Sequence, residues 1–352
     1  MKLLLKTFLA IIIIAIVAFA SLLLYLSITK YKPSEQETLY ISDGDTITVD
    51  SNRIFNVMIW NIGYAGLDQS MDFFYDGGKM VRPTKEQSEL NFNNILSTVH
   101  ELGDTADFIL LQEVDEKSKR SYKTNQMNEF CVNFPDRCSS FALNYNVKFV
   151  PVPVKSPMGC VKSGLLTLSS ITPVSSVRYS FPSSYGFPKN LAMLNRCFLV
   201  NRYELSNGKQ LLIINTHNSA YDDGSMRKQE MDYLKTFLTS EYQKGNYIVV
   251  GGDWNQCPPN FNYKYTDNVF DSINKLDIPS DYLHDWTWSY DPYTPTNRRV
   301  IIPYTKGETA TTIIDYYLLS PNLKLLSVKA INKKFTSSDH NPVLLTFAFG
   351  DW

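Results

Sequence analysis

The chain of 352 residues is 44% hydrophobic, 20% charged and 13% aromatic, a globular composition that disordered and low-complexity proteins do not reach. Its 34 basic and 35 acidic side chains give a formal net charge of −1, which argues against a polybasic nucleic-acid binder working through a large positive field. An enzyme with a small local basic site stays open.

Lys2 and Lys6 precede an apolar run from Thr7 to Thr29, and Lys30 and Lys32 follow it. As a helix this run is about 34 Å long, enough to cross a bilayer core. Ala18-Phe19-Ala20 has the small-x-small pattern of a signal-peptide cleavage site, but Leu22, Leu23, Leu24, Leu26 and Ile28 carry the apolarity well beyond a signal core of about 7–15 residues. A retained anchor at 1–32 is therefore favoured over cleavage and secretion. Either way the remainder lies outside the cytoplasm, provided the amino end stays inside. Residues 1–32 hold four lysines and no acids, which leaves about −5 on the rest.

Residues 33–52 read as a polar spacer with a hairpin around Asp43-Gly44-Asp45. From 53 to 352 no Pro/Gly/Ser linker divides the chain. Strand-like runs recur at 54–60, 108–111, 164–168, 211–215, 247–250, 313–319 and 343–349, short, β-branched or aromatic, and bounded by turn residues. A helix follows Pro83-Thr84, with Gln87 completing a capping box and Leu90, Ile95, Leu96, Val99 and Leu102 forming a stripe. Another starts at Ser225 with Met231, Leu234, Phe237 and Leu238 on one side. The pattern predicts one α/β domain of mixed sheets with outer helices. Cys131, Cys138, Cys160, Cys197 and Cys257 lack zinc-site spacing; a Cys131–Cys138 bridge and five free thiols fit equally well.

Polar residues suited to metal or phosphate cluster where the strands end. Asn61 follows Ile59-Trp60, Gln112-Glu113 follows Phe108–Leu111, and Thr216-His217-Asn218 follows Leu211–Ile214. Gly252-Asp253-Trp254-Asn255 follows Ile248–Val250, Asp315 sits inside an apolar strand, and Ser338-Asp339-His340 precedes the last one. Taken singly, Glu113 reads as a solvated loop acid and Asp253 as a turn former. Asp315 is harder to dismiss, because a buried carboxylate needs a partner or a shifted pKa. Strands of one sheet deliver their ends to one rim, so the whole set can converge.

In this order and spacing the chain resembles the endonuclease/exonuclease/phosphatase superfamily, with its DNase I-like fold, as a membrane-anchored bacterial-type member. The resemblance runs from about Asn56 to Phe349, and Gly252-Asp253-x-Asn255 and Ser338-Asp339-His340 are its most specific parts. It implies a four-layer α/β sandwich, two packed mixed β-sheets flanked by helices, and hydrolysis of phosphoesters with Mg²⁺, for which Mn²⁺ can substitute. By resemblance Glu113 is the principal metal ligand, with Asn61 and Asp339 beside it; Asp253 activates or orients water. Asn255 holds a phosphate oxygen with Asn218 beside it; His340, paired with Asp315, stabilises the transition state, and His217 is a second phosphate-side imidazole.

Two departures bear on substrate. The DNase I branch gives the histidine at the place of His217 a glutamate partner, whereas Phe141–Asn146 here offers amides and no acid. Arg298 or Arg299 can reach the phosphate or lie in a surface turn, and Trp286, Trp288, Tyr290 and Tyr293 can stack a base, touch lipid or pack under a loop. The leading expectation is an extracytoplasmic, membrane-anchored phosphodiesterase on lipid headgroups or other phosphodiesters, with phosphomonoesters also open. The alternatives are an anchored nuclease and a non-catalytic surface binding module. No protein partner is inferable.

Overall fold

The computed structural model of the protein describes residues 1–42, 50, 53–220, 222–261 and 278–350; the expected hairpin at 43–45 lies outside them. In chain order come α1 (Lys2–Ile28), β1 (Gln36–Thr38), β2 (Phe55–Asn61), α2 (Lys85–Gly103), β3 (Phe108–Asp115), α3 (Gln126–Asn133), β4 (Cys138–Val150), β5 (Gly159–Ser169) and β6 (Ser175–Ser180). There follow β7 (Cys197–Glu204), β8 (Gln210–His217), α4 (Ser225–Gln243), β9 (Tyr247–Asp253), β10 (Thr287–Ser289), β11 (Asn297–Arg298), β12 (Thr311–Thr312), β13 (Asp315–Leu319), β14 (Leu323–Ala330) and β15 (Val343–Phe349).

Two mixed sheets pack face to face. One has the order β14-β15-β2-β3-β5-β4, the other β1-β6-β7-β8-β9-β13-β10. Each has one parallel pair, β2 with β3 and β8 with β9. Side-chain alternation sorts the layers. Phe55, Val57 and Ile59 of β2 meet Leu211, Ile213 and Val249 of the other sheet, whereas Met58 and Trp60 face Phe92, Ile95 and Val99 of α2. On the opposite side Leu212, Ile214, Ile248 and Val250 meet Met231, Leu234 and Leu238 of α4. The result is the expected four-layer α/β sandwich. Tyr317 reaches across the central layer, its hydroxyl near Val57 O (3.0 Å) and Val343 O (2.8 Å), which ties the sheets through a satisfied polar group.

Only half of the expected capping box forms. Thr84 Oγ1 accepts from Gln87 N–H at 3.2 Å, but the Gln87 amide turns to Asn91 Oδ1. Thr84→Ala is expected to lower stability by about 1 kcal/mol in chemical denaturation. Leu90, assigned to the buried stripe, is 52% exposed; Phe92, three residues before Ile95 and seven before Val99, takes the inner face.

Part of the 33–52 spacer joins the domain, because Gln36–Thr38 pairs with β6 as an edge strand. The five cysteines are free thiols. Cys131 lies near Met127 Sδ and Cys138 near Thr172 Oγ1. Helix α1 has a hydropathy of 3.0, and Leu4, Ile14 and Phe19 point outward. Such a helix is no core helix; it is long and apolar enough to cross a membrane.

Candidate active site

The site grows from strand pairing. β8 runs parallel to β9 with His217 opposite Asp253, and β13 runs antiparallel to β9 with Asp315 opposite Asp253. Three adjacent strands thus present His217, Asp253 and Asp315 side by side. Gly252 permits this closeness, since at its φ of +146° a Cβ would lie 2.1 Å from Thr216 O. In the other sheet Asn61 ends β2 opposite Gln112 of β3. The register of β3 then slips between Leu111 and Val114, and Glu113 at φ +57° turns into the cleft.

Asp253 is the hub. Its Oδ2 lies 3.0 Å from Asn61 Nδ2, 3.4 Å from His217 Nε2 and 3.8 Å from His340 Nε2, and its Oδ1 accepts from Asn255 N–H at 2.9 Å. Burial, followed by repulsion from Asp315 and opposed by His340, pushes its pKa up to about 6. His340 Nδ1 sits 2.8 Å from Asp315 Oδ2. Burial disfavours the imidazolium of His340, but Asp315, Asp339 and Asp253 outweigh it and hold the pKa well above the usual value. His217 goes the other way: burial, then Arg196 and His340, drive it well below the usual range. Although close to Asp253, it is a neutral imidazole and makes no ion pair. One charged and one neutral histidine therefore flank the same carboxylate.

A hard-oxygen set lies beside this group. Asn61 Nδ2 is 3.3 Å from Glu113 Oε1, and Asp339 Oδ2 is 4.0 Å from His340 Nε2. Burial, then the Glu113 charge against the opposing pull of His340, raises Asp339 to about 7. Carboxylates crowded in this way suit a divalent cation with oxygen ligands. Ligand atoms of Asp253, Asp315 and His340 also lie within 4.8 Å of one another. That trio is instead occupied by its own Asp315–His340 hydrogen bond and by the charge on the imidazole.

Nine of the ten expected site residues meet in or beside one cleft. Glu113, His217, Asp253, Asn255, Arg298, Asp339 and His340 line it, and Asn61 and Asp315 touch Asp253 and His340 from behind. Asn218 turns away. Its side chain bonds Thr216 Oγ1 and Met231 Sδ, fully buried under α4. Alternation explains this, because neighbouring residues at a strand end face opposite sides. Arg298 is present but largely committed: Nη1 donates to Arg299 O and Ile302 O and Nη2 to Asp68 O, leaving Nε without a partner among the described residues. Trp288 packs edge-on against Trp254 and Tyr316, and Trp286 against Tyr242, so both serve the fold; Tyr293 stays exposed.

Sequence reasoning missed Arg120, Arg196 and Asn297. Arg120 hides in a charged run, Asp115 to Arg120, that reads as a solvated turn. It is buried, lies 3.8 Å over the Tyr64 ring, bonds Asp115 and sits 3.8 Å from Glu113. Asn297 places its amide 3.0 Å from His340 Nε2. Arg196 precedes β7, lines the cleft and leaves Nη1 unpaired among the described residues. Asn144, from the segment that offers amides in place of an acid, also lines the cleft, and among the described residues neither its Nδ2 nor His217 Nδ1 has a partner.

Residues 58–340 match the Endonuclease/Exonuclease/phosphatase family. Among solved structures, an endonuclease/exonuclease/phosphatase from Beutenbergia cavernae is 16% identical with a TM-score of 0.57, over 85% of this chain and 72% of that one. ANGEL2, described as a 2',3'-cyclic phosphatase, is 17% identical with a TM-score of 0.53, over 90% of this chain and 98% of its own. A family protein from Bacteroides vulgatus is 13% identical with a TM-score of 0.51, over 84% and 99% of the two chains. No curated protein sequence matches significantly. The match covers well over half of the chain and the fold agrees with it, so this chain belongs to the Endonuclease/Exonuclease/phosphatase family and is a phosphoester hydrolase.

Proposed function

We propose that the protein is a Mg²⁺-dependent phosphodiesterase anchored by α1, with its catalytic domain outside the cytoplasm and a lipid headgroup or another surface phosphodiester as substrate. The observation that carries this reading is Asp253, a buried carboxylate with a pKa of about 6 between a neutral and a charged imidazole, next to the oxygen set of Glu113, Asn61 and Asp339. Asp253 takes the proton of the attacking water, for which its pKa is suited. His340, kept cationic by Asp315, faces the charge that grows on the phosphoryl oxygens. His217 offers its N–H to the same group, and Asn255 contacts a phosphate oxygen. Arg298 through Nε, Arg196 through Nη1 and Asn144 through Nδ2 bring to the cleft buried donors that have no partner among the described residues, and such donors gain most from an anionic ligand. Mg²⁺ bound by Glu113, Asn61 and Asp339 would supply charge neutralisation at phosphorus, and Mn²⁺ could stand in for it.

The test is turnover of an aryl phosphodiester by the full chain in detergent, beside plasmid DNA, aryl phosphomonoester and phospholipid. Chelator is expected to lower diesterase turnover by about 10³-fold, equivalent to roughly 4 kcal/mol of lost charge stabilisation, and Mg²⁺ to restore it. Turnover indifferent to chelator refutes the metal assignment, and cleavage confined to DNA replaces the lipid reading by a nuclease. Because Asp339 titrates at about 7 and binds metal only when ionised, Mg²⁺ affinity measured by calorimetry should weaken as pH falls through 7.

A further inference from the structure

From Arg137 to Tyr203 the chain has eight Lys and Arg and no Asp or Glu, although the extramembrane part as a whole carries about −5. This stretch builds one wall of the catalytic cleft, through Tyr145, Met158, Tyr185, Met193 and Arg196. The end of α1 packs on the same stretch. Leu26 is buried there, and it borders a small cavity together with Val147, Lys148, Leu191 and Met193. Met193 thus lines both that cavity and the cleft. The two loops that flank this junction carry bare apolar tips, Val154 at 84% and Phe187 at 68% exposure, with Lys155 and Lys189 beside them in exposed positions.

We infer that the face formed by residues 148–157 and 185–195 rests on the bilayer that α1 enters, with Phe187 and Val154 in the apolar layer and the lysines among anionic headgroups. This rests on the anchored-phosphodiesterase reading and narrows its substrate to a phosphoester carried by a lipid of the same leaflet. Apolar tips ringed by lysines on an otherwise acidic domain match an anionic interface in both hydrophobicity and charge. A helix that ends against the cleft wall holds that wall within one side-chain layer of the membrane.

The test uses the full chain in phosphatidylcholine–phosphatidylglycerol vesicles with brominated acyl chains, carrying Phe187→Trp, Ala15→Trp in α1, or Leu326→Trp. The last lies on β14, at the opposite edge of its sheet from β4. Emission is read relative to the unsubstituted protein. A blue shift and loss of the added emission are expected for Phe187→Trp, together with quenching of Ala15→Trp and none of Leu326→Trp. If Ala15→Trp is quenched but Phe187→Trp is not, the face stands clear of the bilayer and the inference fails alone. An unquenched Ala15→Trp removes the anchor and the inference with it. A Phe187→Trp signal that is blue-shifted but unquenched means that protein covers the face, and equal quenching at residue 326 means non-specific adsorption; each overturns the inference. Turnover is not part of the readout, so loss of the hydrolase reading would not mimic any of these results.

Discussion

Asp253→Asn is expected to lower kcat by about 10²–10⁴-fold, the usual contribution of a general base. The melting temperature should stay level or rise. Both follow from one fact: the carboxylate is nearly fully buried with its pKa pushed up to about 6. An acid whose pKa is raised by folding opposes the folded state above its unfolded pKa, so the neutral isostere relieves that opposition. At saturating Mg²⁺, which removes the separate pH dependence of metal binding through Asp339, the wild-type acid limb of kcat/KM should fall near pH 6, since Asp253 accepts a proton only when ionised, and Asp253→Asn should abolish that limb. Turnover and melting are measured on one preparation. Full activity in the variant refutes the role, and a collapsed melting curve would mean that the carboxylate organises the fold instead.

Asp315→Asn should act through His340. Asp315 is the foremost charge holding the imidazole well above its usual pKa, at 2.8 Å from Nδ1. A raised histidine pKa means that the charged form persists through neutrality and is lost as pH rises through the folded value. With the aspartate gone, His340 should lose its proton at lower pH, and the alkaline limb of the kcat/KM profile should move toward acid. At pH 7 the expected loss is about 10²-fold or more, the scale of one removed transition-state donor. The variant should also unfold more readily, because breaking a buried pair leaves one partner uncompensated, at roughly 3–5 kcal/mol. A purely structural Asp315 would change melting and leave the shape of the pH profile intact.

The sandwich was legible because its strands are buried on both faces, so Ile54–Trp60 and Tyr247–Val250 read as apolar runs without needing their partners. The site was legible for a related reason. Polar residues directly after such runs, Asn61, Glu113 and Asp253, and His340 just ahead of the last one, have few places to go except the shared rim. What escaped reading depends on tertiary context. Leu90 is the exception, a misjudged period: it stands five residues before Ile95, whereas Phe92 stands three before it and keeps the helical spacing. Asn218 stands one residue past His217, yet it faces α4. The fork of Arg298 is filled by carbonyls from two loops, one of them some 230 positions away at Asp68, and no local pattern encodes that. Arg120 and Arg196 resemble any surface arginine until burial is known. The acid-free stretch from 137 to 203 was visible in the sequence, but it acquires meaning only once α1 is seen against it.

The place of β2 has a consequence for how the molecule comes into being. It lies between β3, its neighbour in the chain, and β15, whose residues are made almost three hundred positions later. Until then the growing polypeptide carries an open strand edge, a slow long-range closure of the kind that invites mispairing. His340 and Asp339 arrive just ahead of that closing strand. Closure of β15 therefore completes the cleft in a single late event: on the proposed roles, hydrolysis can begin only once Asp339 and His340 have joined strands made some 280 positions earlier.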